Sequence, residues 1–213
     1  MSSEKLANIP VASLKRIPLY LSVLQSLDAK GLEHISSNSI AELVNENASV
    51  VKKDLSYLIS KEGKPKIGYD IKSLIQDIEN ILIHHQTKNA VIVGVGKLGS
   101  ALFHYEGFNK YGFNIVYGFD SNPDLINSTV AGKKVFSIDE LKSIVVAHNI
   151  KIGIITTPAE FAQKTAEAMI DSGIKAIWNF TASHLVVPKN IVVKNENLAT
   201  SLAILSKQLQ GTF

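Results

Sequence analysis

The fold of this chain is decided by residues 90–99, which read AVIVGVGKLG. The apolar run 90–94 predicts a buried β-strand, and the pattern Gly94-x-Gly96-x-x-Gly99 follows it and opens a helical pattern. In such a loop the first glycine makes a tight turn, the second lets the backbone approach a pyrophosphate, and the third lets helix and strand pack closely. The helix also presents unpaired N–H groups to the anion. This pattern predicts a dinucleotide site contacted by Gly94, Val95, Gly96, Lys97, Leu98 and Gly99.

An acidic residue at the end of the next predicted strand supports this site. Asp120 closes the strand 114–120, about twenty residues after the loop, where a carboxylate accepts hydrogen bonds from the ribose hydroxyls. A 2′-phosphate beside Asp120 would be repelled, and residues 121–123 (SNP) supply no basic side chain to hold it. The pattern therefore favours NAD(H) over NADP(H). The alternatives are an ordinary strand-to-helix turn for the glycines and a helix N-cap for Asp120.

After residue 89, short apolar runs alternate with helical patterns, which is typical of a parallel sheet with helices on both faces. The last helical stretch, Leu198 to Leu209, is followed by no strand and carries an apolar stripe at Leu198, Leu202 and Leu205. This stripe predicts a helix that docks into a partner subunit; packing on its own domain is the alternative. The predicted strands are 90–94, 114–120, 151–158, 175–180 and 190–195.

Before residue 84 the apolar residues recur only at helical spacing, in the stretches 11–27, 40–44, 50–59 and 71–83. The polar stretch 84–89 separates the two patterns and marks a boundary. A chain of 213 residues suits a small module followed by a medium one. The predicted domains are 1–85, 86–195 and a terminal helix over 196–213.

Two of the N-terminal helices have helix-turn-helix proportions. Ser39 is the predicted N-cap of the first and Ser49 of the second, with residues 45–48 as the turn. In the second helix the predicted core face is formed by Val51, Leu55 and Leu58, which leaves Lys52, Lys53 and Ser56 on the opposite face. Side chains of these types contact phosphates and base edges in a major groove.

A lysine excess surrounds this second helix. Six lysines and three acidic residues lie between Ser49 and Lys72. The loop 61–68 carries Lys64 and Lys66 with glycine and proline, which suits a wing lying on a DNA backbone. The alternatives are a solvated loop and a helical subdomain that serves dimerisation. Because Arg16 is the one arginine, any forked guanidinium contact to guanine must use it.

Composition excludes several classes of protein. With no cysteine there are no disulfides, thiolate metal sites or cysteine nucleophiles, and an intracellular, cytoplasmic location is expected. No apolar run has the length of a membrane span, and the N-terminus does not resemble a signal peptide. No spaced cluster of histidines and carboxylates predicts a metal site. The net charge of +3 is too small by itself to imply a nucleic-acid partner.

Several motifs, in order over nearly the whole chain, resemble the Rex family of redox-sensing transcriptional repressors. Ile9-Pro10 and the segment 14–20 (LKRIPLY) are similar to the family's opening helix, 53–57 (KDLSY) to its recognition helix, and 68–70 (GYD) to the end of its wing. The glycine loop, 105–108 (YEGF), 157–159 (TPA), 179–180 (NF) and the terminal helix are similar to its cofactor-binding half. The combination is far more specific than any single motif.

The resemblance implies a winged helix-turn-helix domain, a Rossmann-like domain that senses NADH, and a C-terminal helix exchanged in a homodimer. It implies that the dimer binds an A·T-rich inverted repeat in operator DNA when empty or with NAD+, and releases it when NADH binds. It adds Tyr105, Thr157, Pro158, Asn179 and Phe180 to the cofactor contacts. The DNA contacts expected are Arg16, Ser49, Lys52, Lys53, Ser56, Tyr57, Lys64 and Lys66.

Uncharged reduced nicotinamide tolerates an apolar pocket better than the cationic ring does. A pocket near Tyr105, Pro158 and Phe180 would therefore discriminate NADH from NAD+. Core packing is the alternative for Tyr105 and Phe180, and a simple strand stop for Thr157 and Pro158.

The chain departs from the family's pattern in three places. The segment 58–62 (LISKE) at the start of the wing is one residue longer than usual. Asn197 stands where the family has an aspartate that pairs with the arginine of the first helix, so Arg16 is expected to lack that charged partner. The segment 181–184 (TASH) replaces a run that usually contains proline and arginine, which leaves the nicotinamide pocket undefined in detail.

The main alternative function is an NAD-dependent oxidoreductase, which would need a proton donor near its substrate. None of the six histidines stands in a recognisable catalytic signature, so no catalytic residue is predicted. A domain resembling the CoA-binding half of acyl-CoA ligases is a second alternative, but it would not explain the basic helix-turn-helix.

Overall fold

The computed structural model describes residues 9–59, 63, 67–82 and 88–210. The chain forms two compact units, residues 1–85 and 86–213. The elements of the first unit are α1 (Val11–Ala29), β1 (His34–Ile35), α2 (Ser37–Val44), α3 (Ala48–Leu58), β2 (Tyr69–Asp70) and α4 (Ile71–Leu82).

The first unit has the predicted helix-turn-helix. Val51, Leu55 and Leu58 of α3 are fully buried in one apolar core, so the predicted core face of this helix is confirmed. The turn from α2 to α3 begins at Asn45, whose backbone is left-handed at φ 53°. β1 and β2 pair antiparallel, with Ile35 opposite Tyr69. Most of the loop predicted as the wing, including Lys64 and Lys66, lies outside the described residues.

The predicted N-caps of α2 and α3 are wrong. α2 begins earlier, because the Ser36 side chain accepts the Ser39 amide at 3.0 Å. α3 is capped by Asn47, whose side chain accepts the Ser49 amide at 2.9 Å. Several neighbouring residues here are good capping types, so the sequence pattern alone does not distinguish among them.

The second unit is a seven-stranded sheet with helices on both faces. Its strands are β3 (Lys88–Val93), β4 (Phe113–Asp120), β5 (Thr129–Val130), β6 (Lys133–Ser137), β7 (Ile152–Ile155), β8 (Ala176–Asn179) and β9 (Val192–Asn195). Its helices are α5 (Lys97–His104), α6 (Leu141–Ala147), α7 (Ala162–Asp171) and α8 (Leu198–Gln210), with short 3₁₀ helices at Glu106–Tyr111, Ile138–Glu140 and Ala159–Phe161.

The strand order is β5-β6-β4-β3-β7-β8-β9. All neighbours pair parallel except β5 and β6. The chain runs outward from β3 to β6 and then crosses back to place β7 beside β3, which is the arrangement of a Rossmann fold. In this arrangement ligands bind at the carboxyl ends of β3 and β7, where the strand order reverses.

The five strands predicted from the sequence are present. Two further strands of this unit, β5 and β6, were not predicted. These form a hairpin whose two turn residues, Ala131 and Gly132, both have positive φ. A two-residue turn with glycine between apolar runs was the available signal. The predicted strand 151–158 is shorter, because residues 156–158 leave the sheet after Ile155.

Helix α8 does not pack on the described part of its own unit. Every residue from Leu198 to Leu209 is exposed, including Leu202 at 67% and Leu205 at 55%. The alternative that this stripe packs on its own domain is therefore wrong for the single chain. Within the described residues, no helix has both the length and the apolar character needed to cross a membrane.

Candidate cofactor and DNA-binding sites

The glycine loop lies at the point where the strand order reverses. Gly94 follows β3 with φ at +91°, a backbone conformation that favours glycine. A Cβ at Gly94 would lie 2.7 Å from the amide nitrogen of Thr157, which follows β7. The loops after β3 and β7 are therefore in direct contact, although they are far apart in sequence.

Gly99 is tightly packed, whereas Gly96 borders open space. A Cβ at Gly99 would overlap the carbonyl oxygen of Gly94, so α5 packs against the end of β3 as closely as the third glycine of such a loop requires. A Cβ at Gly96 would meet no atom within 4 Å. The first bond within α5 runs from the Ser100 amide to the Gly96 carbonyl, so the amides of residues 97–99 precede it and have no acceptor within the helix.

Asp120 joins the loop to the end of β4. Its Oδ2 accepts the Val95 amide at 2.7 Å, and its Oδ1 accepts the Asn122 amide at 2.9 Å. The Val95 amide is therefore committed to Asp120 and is not available to a phosphate. Each carboxylate oxygen has a further lone pair, so the half-buried Asp120 retains the capacity to accept ribose hydroxyls.

Two adjacent threonines complete this edge of the sheet. Thr156 was not predicted as a site residue from the sequence. Its hydroxyl donates a hydrogen bond to the Gly94 carbonyl at 2.6 Å, which connects the glycine loop to the end of β7. The Thr157 hydroxyl is buried and has no hydrogen-bond partner among the described residues. A buried polar atom without a partner is costly, and a bound ligand is one way to satisfy it. The orphaned hydroxyl, the open side of Gly96 and the Asp120 carboxylate together fit a dinucleotide.

The structure does not bring Tyr105 beside Pro158 and Phe180. α5 runs away from the glycine loop for about 12 Å before Tyr105 follows it, so Tyr105 lies toward the opposite edge of the sheet. Tyr105 is linked to Phe180 only through two intervening rings, those of Phe108 and Trp178. Tyr105 is also 60% exposed, so core packing does not describe it, whereas Phe180 is half-buried against the apolar cluster under α5.

The side chain of Asn179, predicted as a cofactor contact, has a structural role in the single chain. Its side chain is fully buried at the end of β8. The amide nitrogen donates to the Ser183 carbonyl and to Asn195 Oδ1, while its oxygen accepts the amide and hydroxyl of Thr181. All four hydrogen-bonding positions are used, so the side chain orders the loop 179–183 and has none left for a ligand.

In the first unit, α3 presents the predicted polar face. Lys52, Lys53 and Ser56 are exposed, and neither lysine forms an ion pair with any described residue. The Ser49 hydroxyl donates to Asn47 Oδ1 at 2.9 Å, so part of its capacity is already used. Tyr57 is half-buried and packs against the core.

Arg16 has a charged partner inside its own unit, which the sequence analysis did not predict. Its Nε and Nη2 donate to the two carboxylate oxygens of Asp54 at 2.7 and 2.9 Å. Hydrogen bonding to Asp54, against the opposing effect of burial, raises the pKa of Arg16. Asn197 instead accepts the Thr200 amide at 3.0 Å at the start of α8. Two of the donors of Arg16 are therefore already used by Asp54 in the single chain.

The glycine loop and the helix-turn-helix together place the chain in the class of DNA-binding proteins with a dinucleotide-type domain. A relative from Bacteroides fragilis, named redox-sensing transcriptional repressor Rex, is 37% identical over 201 residues, which cover 94% of this chain and 91% of that protein. The chain belongs to the Rex family of redox-sensing transcriptional repressors.

Family models and solved structures agree with this membership. Models described as "CoA binding domain" and "Putative DNA-binding protein N-terminus" match residues 85–183 and 8–56. The crystal structure of RSP with beta-NAD+ and operator DNA has a TM-score of 0.88 at 32% identity, covering 96% of this chain and 94% of that one. The structure of RSP with beta-NADH has a TM-score of 0.85 at 32% identity, covering 96% of each chain.

These similarities favour the repressor over both alternatives. The relative carries the name of a repressor and not of an oxidoreductase. The match over residues 8–56 accounts for the helix-turn-helix, which a CoA-ligase domain would not. No group of three or more histidines and carboxylates that could hold a metal occurs among the described residues.

Proposed function

We propose that this chain is a homodimeric, cytoplasmic transcriptional repressor that follows the NADH/NAD+ ratio. It binds an A·T-rich inverted repeat in operator DNA when empty or with NAD+, and NADH releases it. The observation that carries the proposal is the presence, in one chain, of a lysine-bearing recognition helix and a glycine loop with the geometry of a dinucleotide site. The similarity to RSP, solved with NAD+ and operator DNA, extends over both parts.

On the DNA side, α3 would lie in the major groove. The ammonium groups of Lys52 and Lys53 reach phosphates or base edges, and the Ser56 hydroxyl lies one turn further along the same exposed face. Ser49 and Tyr57 flank this face at the beginning and end of the helix. Lys64 and Lys66, in the segment outside the described residues, would supply the contacts of the wing.

In the cofactor site, the residues at the carboxyl edge of the sheet contact different parts of the dinucleotide. The amides of Lys97, Leu98 and Gly99 face the pyrophosphate, and Gly96 leaves the space that it needs. Asp120 accepts the adenosine ribose hydroxyls and repels a 2′-phosphate, which selects NAD(H). The Thr157 hydroxyl donates to the bound cofactor, with Pro158 and Phe180 beside it at the same edge. The cofactor acts here as an effector, and no hydride is transferred.

The second subunit is needed to cover α8. Its apolar stripe, Leu198, Leu202 and Leu205, is more than half exposed in the single chain. An exposed apolar face of this kind marks an interaction site, and a second copy of the chain is the partner that the family resemblance implies.

Release of DNA by NADH requires that NADH bind two arrangements of the dimer with different affinities. NADH releases DNA only if it binds one arrangement of the dimer more tightly than the other, and operator DNA must then weaken NADH binding by the same factor. The apolar surroundings of Phe180 favour the uncharged reduced ring over the cationic oxidised ring. This difference is the physical basis on which the two redox forms have different effects.

A single titration tests the proposal. The protein is titrated with an A·T-rich inverted repeat at fixed salt, without cofactor, with NAD+ and with NADH. Release by NADH but not by NAD+ is the expected result. DNA binding that is indifferent to both nucleotides, or NADH binding without binding to any such repeat, would contradict it.

A further inference from the structure

A buried carboxylate lies behind the recognition helix. Asp54 of α3 is 1% exposed and accepts four hydrogen bonds from three side chains of α1. Besides the two bonds from Arg16, Ser13 Oγ donates to Oδ1 at 2.6 Å and Tyr20 Oη donates to Oδ2 at 2.7 Å. Ser13, Arg16 and Tyr20 are spaced by three and four residues, so they lie on one face of α1.

The carboxylate of Asp54 is ionised and accepts two hydrogen bonds at each oxygen. Burial opposes the charge of Asp54, but the hydrogen bonds from Arg16, Ser13 and Tyr20 outweigh it and hold the pKa of Asp54 below its ordinary value. The guanidinium meets the carboxylate in the bidentate geometry that makes such pairs strong. The negative charge of Asp54 is therefore neutralised inside the unit and does not oppose a polyanion outside it.

The position of Asp54 in α3 gives these bonds a second effect. Asp54 follows Lys53 directly and points to the core, while Lys52, Lys53 and Ser56 point outward. Burial of Val51, Leu55 and Leu58 determines which face of α3 meets the core, but the hydrophobic effect is non-directional and tolerates small rotations of the helix. The hydrogen bonds to Asp54 depend on distance and angle, so they restrict these remaining rotations of α3 about its own axis and with them the direction of the lysines.

We propose that Arg16 and Asp54 are positioning residues for DNA binding, which hold the recognition helix in its DNA-binding orientation without contacting DNA themselves. The inference rests on the proposed function, because it presupposes that α3 binds DNA. It differs from the expectation that Arg16 reads a base. Arg16 retains donors beyond the two that Asp54 accepts, and its side chain is 24% exposed, so an experiment has to separate a direct contact from positioning.

Measuring how DNA affinity changes with salt concentration distinguishes a direct DNA contact of Arg16 from a positioning role. Each phosphate neutralised by a basic side chain contributes about 0.9 to the slope of log K against log salt. Lys53→Ala, as the reference for a direct contact, should lower both the affinity and the slope, by about 0.9 for the slope. Arg16→Gln should lower the affinity by about tenfold or more but leave the slope as in wild type, because the lost cation does not face a phosphate. Lys15→Ala, at an exposed neighbour, is the matched control for charge on α1.

A double-variant cycle supplies the second readout. Arg16→Gln leaves a buried carboxylate without its cation, and adding Asp54→Asn removes that charge, so Arg16→Gln/Asp54→Asn should bind DNA several-fold more tightly than Arg16→Gln alone. If Arg16→Gln unfolds the unit, recovery of folding and of DNA binding in the double variant is the supporting result. A slope reduced in Arg16→Gln as much as in Lys53→Ala, or no recovery in the double variant, would overturn the proposal. Absence of DNA binding by wild type would instead contradict the proposed function.

Discussion

Alanine at Gly99 should lower the stability of the protein, whereas alanine at Gly96 should leave stability nearly unchanged and weaken cofactor binding. At Gly99 the added Cβ overlaps the Gly94 carbonyl and lies 3.0 Å from the Thr156 hydroxyl. Because the overlapped atom is backbone, the start of α5 must move. Forced overpacking of this kind costs about 1–3 kcal/mol. We expect the melting temperature of Gly99→Ala to be lower by about 4–12 °C.

At Gly96 the folded protein accepts the same change at little cost. The Cβ meets nothing within 4 Å, and φ at −67° is ordinary for alanine. Gly96 is the N-cap of α5, where alanine is worse than glycine, but alanine also restricts the unfolded chain by about 0.4–1 kcal/mol. The two effects oppose each other and leave a net change within about 1 kcal/mol. The new methyl group occupies the space proposed for the pyrophosphate, so NADH affinity should fall by about tenfold or more.

Two measurements on each variant check this pair: thermal unfolding without ligand, and titration with NADH. Gly173→Ala is the matched control, because its φ of +100° makes alanine strained while no backbone atom lies within 4 Å of the new Cβ. It should lose stability and keep its NADH affinity. Gly96→Ala with wild-type NADH affinity would show that no pyrophosphate approaches this glycine. Gly99→Ala with a wild-type melting temperature would show that the close packing against Gly94 can relax.

Three further predictions concern other parts of the chain. Because the folded pKa of Asp54 is lowered, its contribution to stability is complete above its unfolded pKa of about 3.9 and is lost as pH falls through the lower folded value. Urea unfolding from pH 7 to pH 3 should therefore show a steeper acid loss in wild type than in Asp54→Asn; equal profiles would refute this. Thr157→Val should keep or raise the melting temperature and weaken NADH binding by about three- to tenfold, whereas Thr156→Val should lose stability. An unchanged NADH affinity in Thr157→Val would exclude its hydroxyl as a contact. Leu202→Glu should shift the sedimentation of the chain from dimer to monomer, and Thr200→Glu, on the other side of α8, should not; a stable Leu202→Glu dimer would exclude this stripe as the interface.

Local patterns were sufficient where a few neighbouring residues determine the structure. The glycine loop was predicted with its strand and helix, because the positive φ of Gly94 and the close packing at Gly99 depend on residues within one strand-turn-helix segment. The core face of α3 followed from the helical period of Val51, Leu55 and Leu58.

Prediction failed where several local solutions had similar energy or where the partner was distant in sequence. Ser36 and Ser39 are both good capping residues, and in the structure Ser36 is the N-cap. Asn179 was assigned to the cofactor from the family resemblance, but all hydrogen-bonding positions of its side chain are used by residues of the following loop and strand. Tyr105 was placed near Pro158, and the direction of α5 separates them.

The amino-acid sequence alone determined the family, the presence of a dinucleotide loop, and the outward face of the recognition helix, because each depends on spacing over a short stretch of chain. Tertiary structure decided which distant groups meet. The order of the strands brings Thr156 and Thr157 against Gly94, and the packing of α1 on α3 gives Arg16 its partner Asp54, 38 residues away in sequence. Such pairs depend on directional hydrogen bonds and close packing between elements, and the periodicity of neither element contains that information.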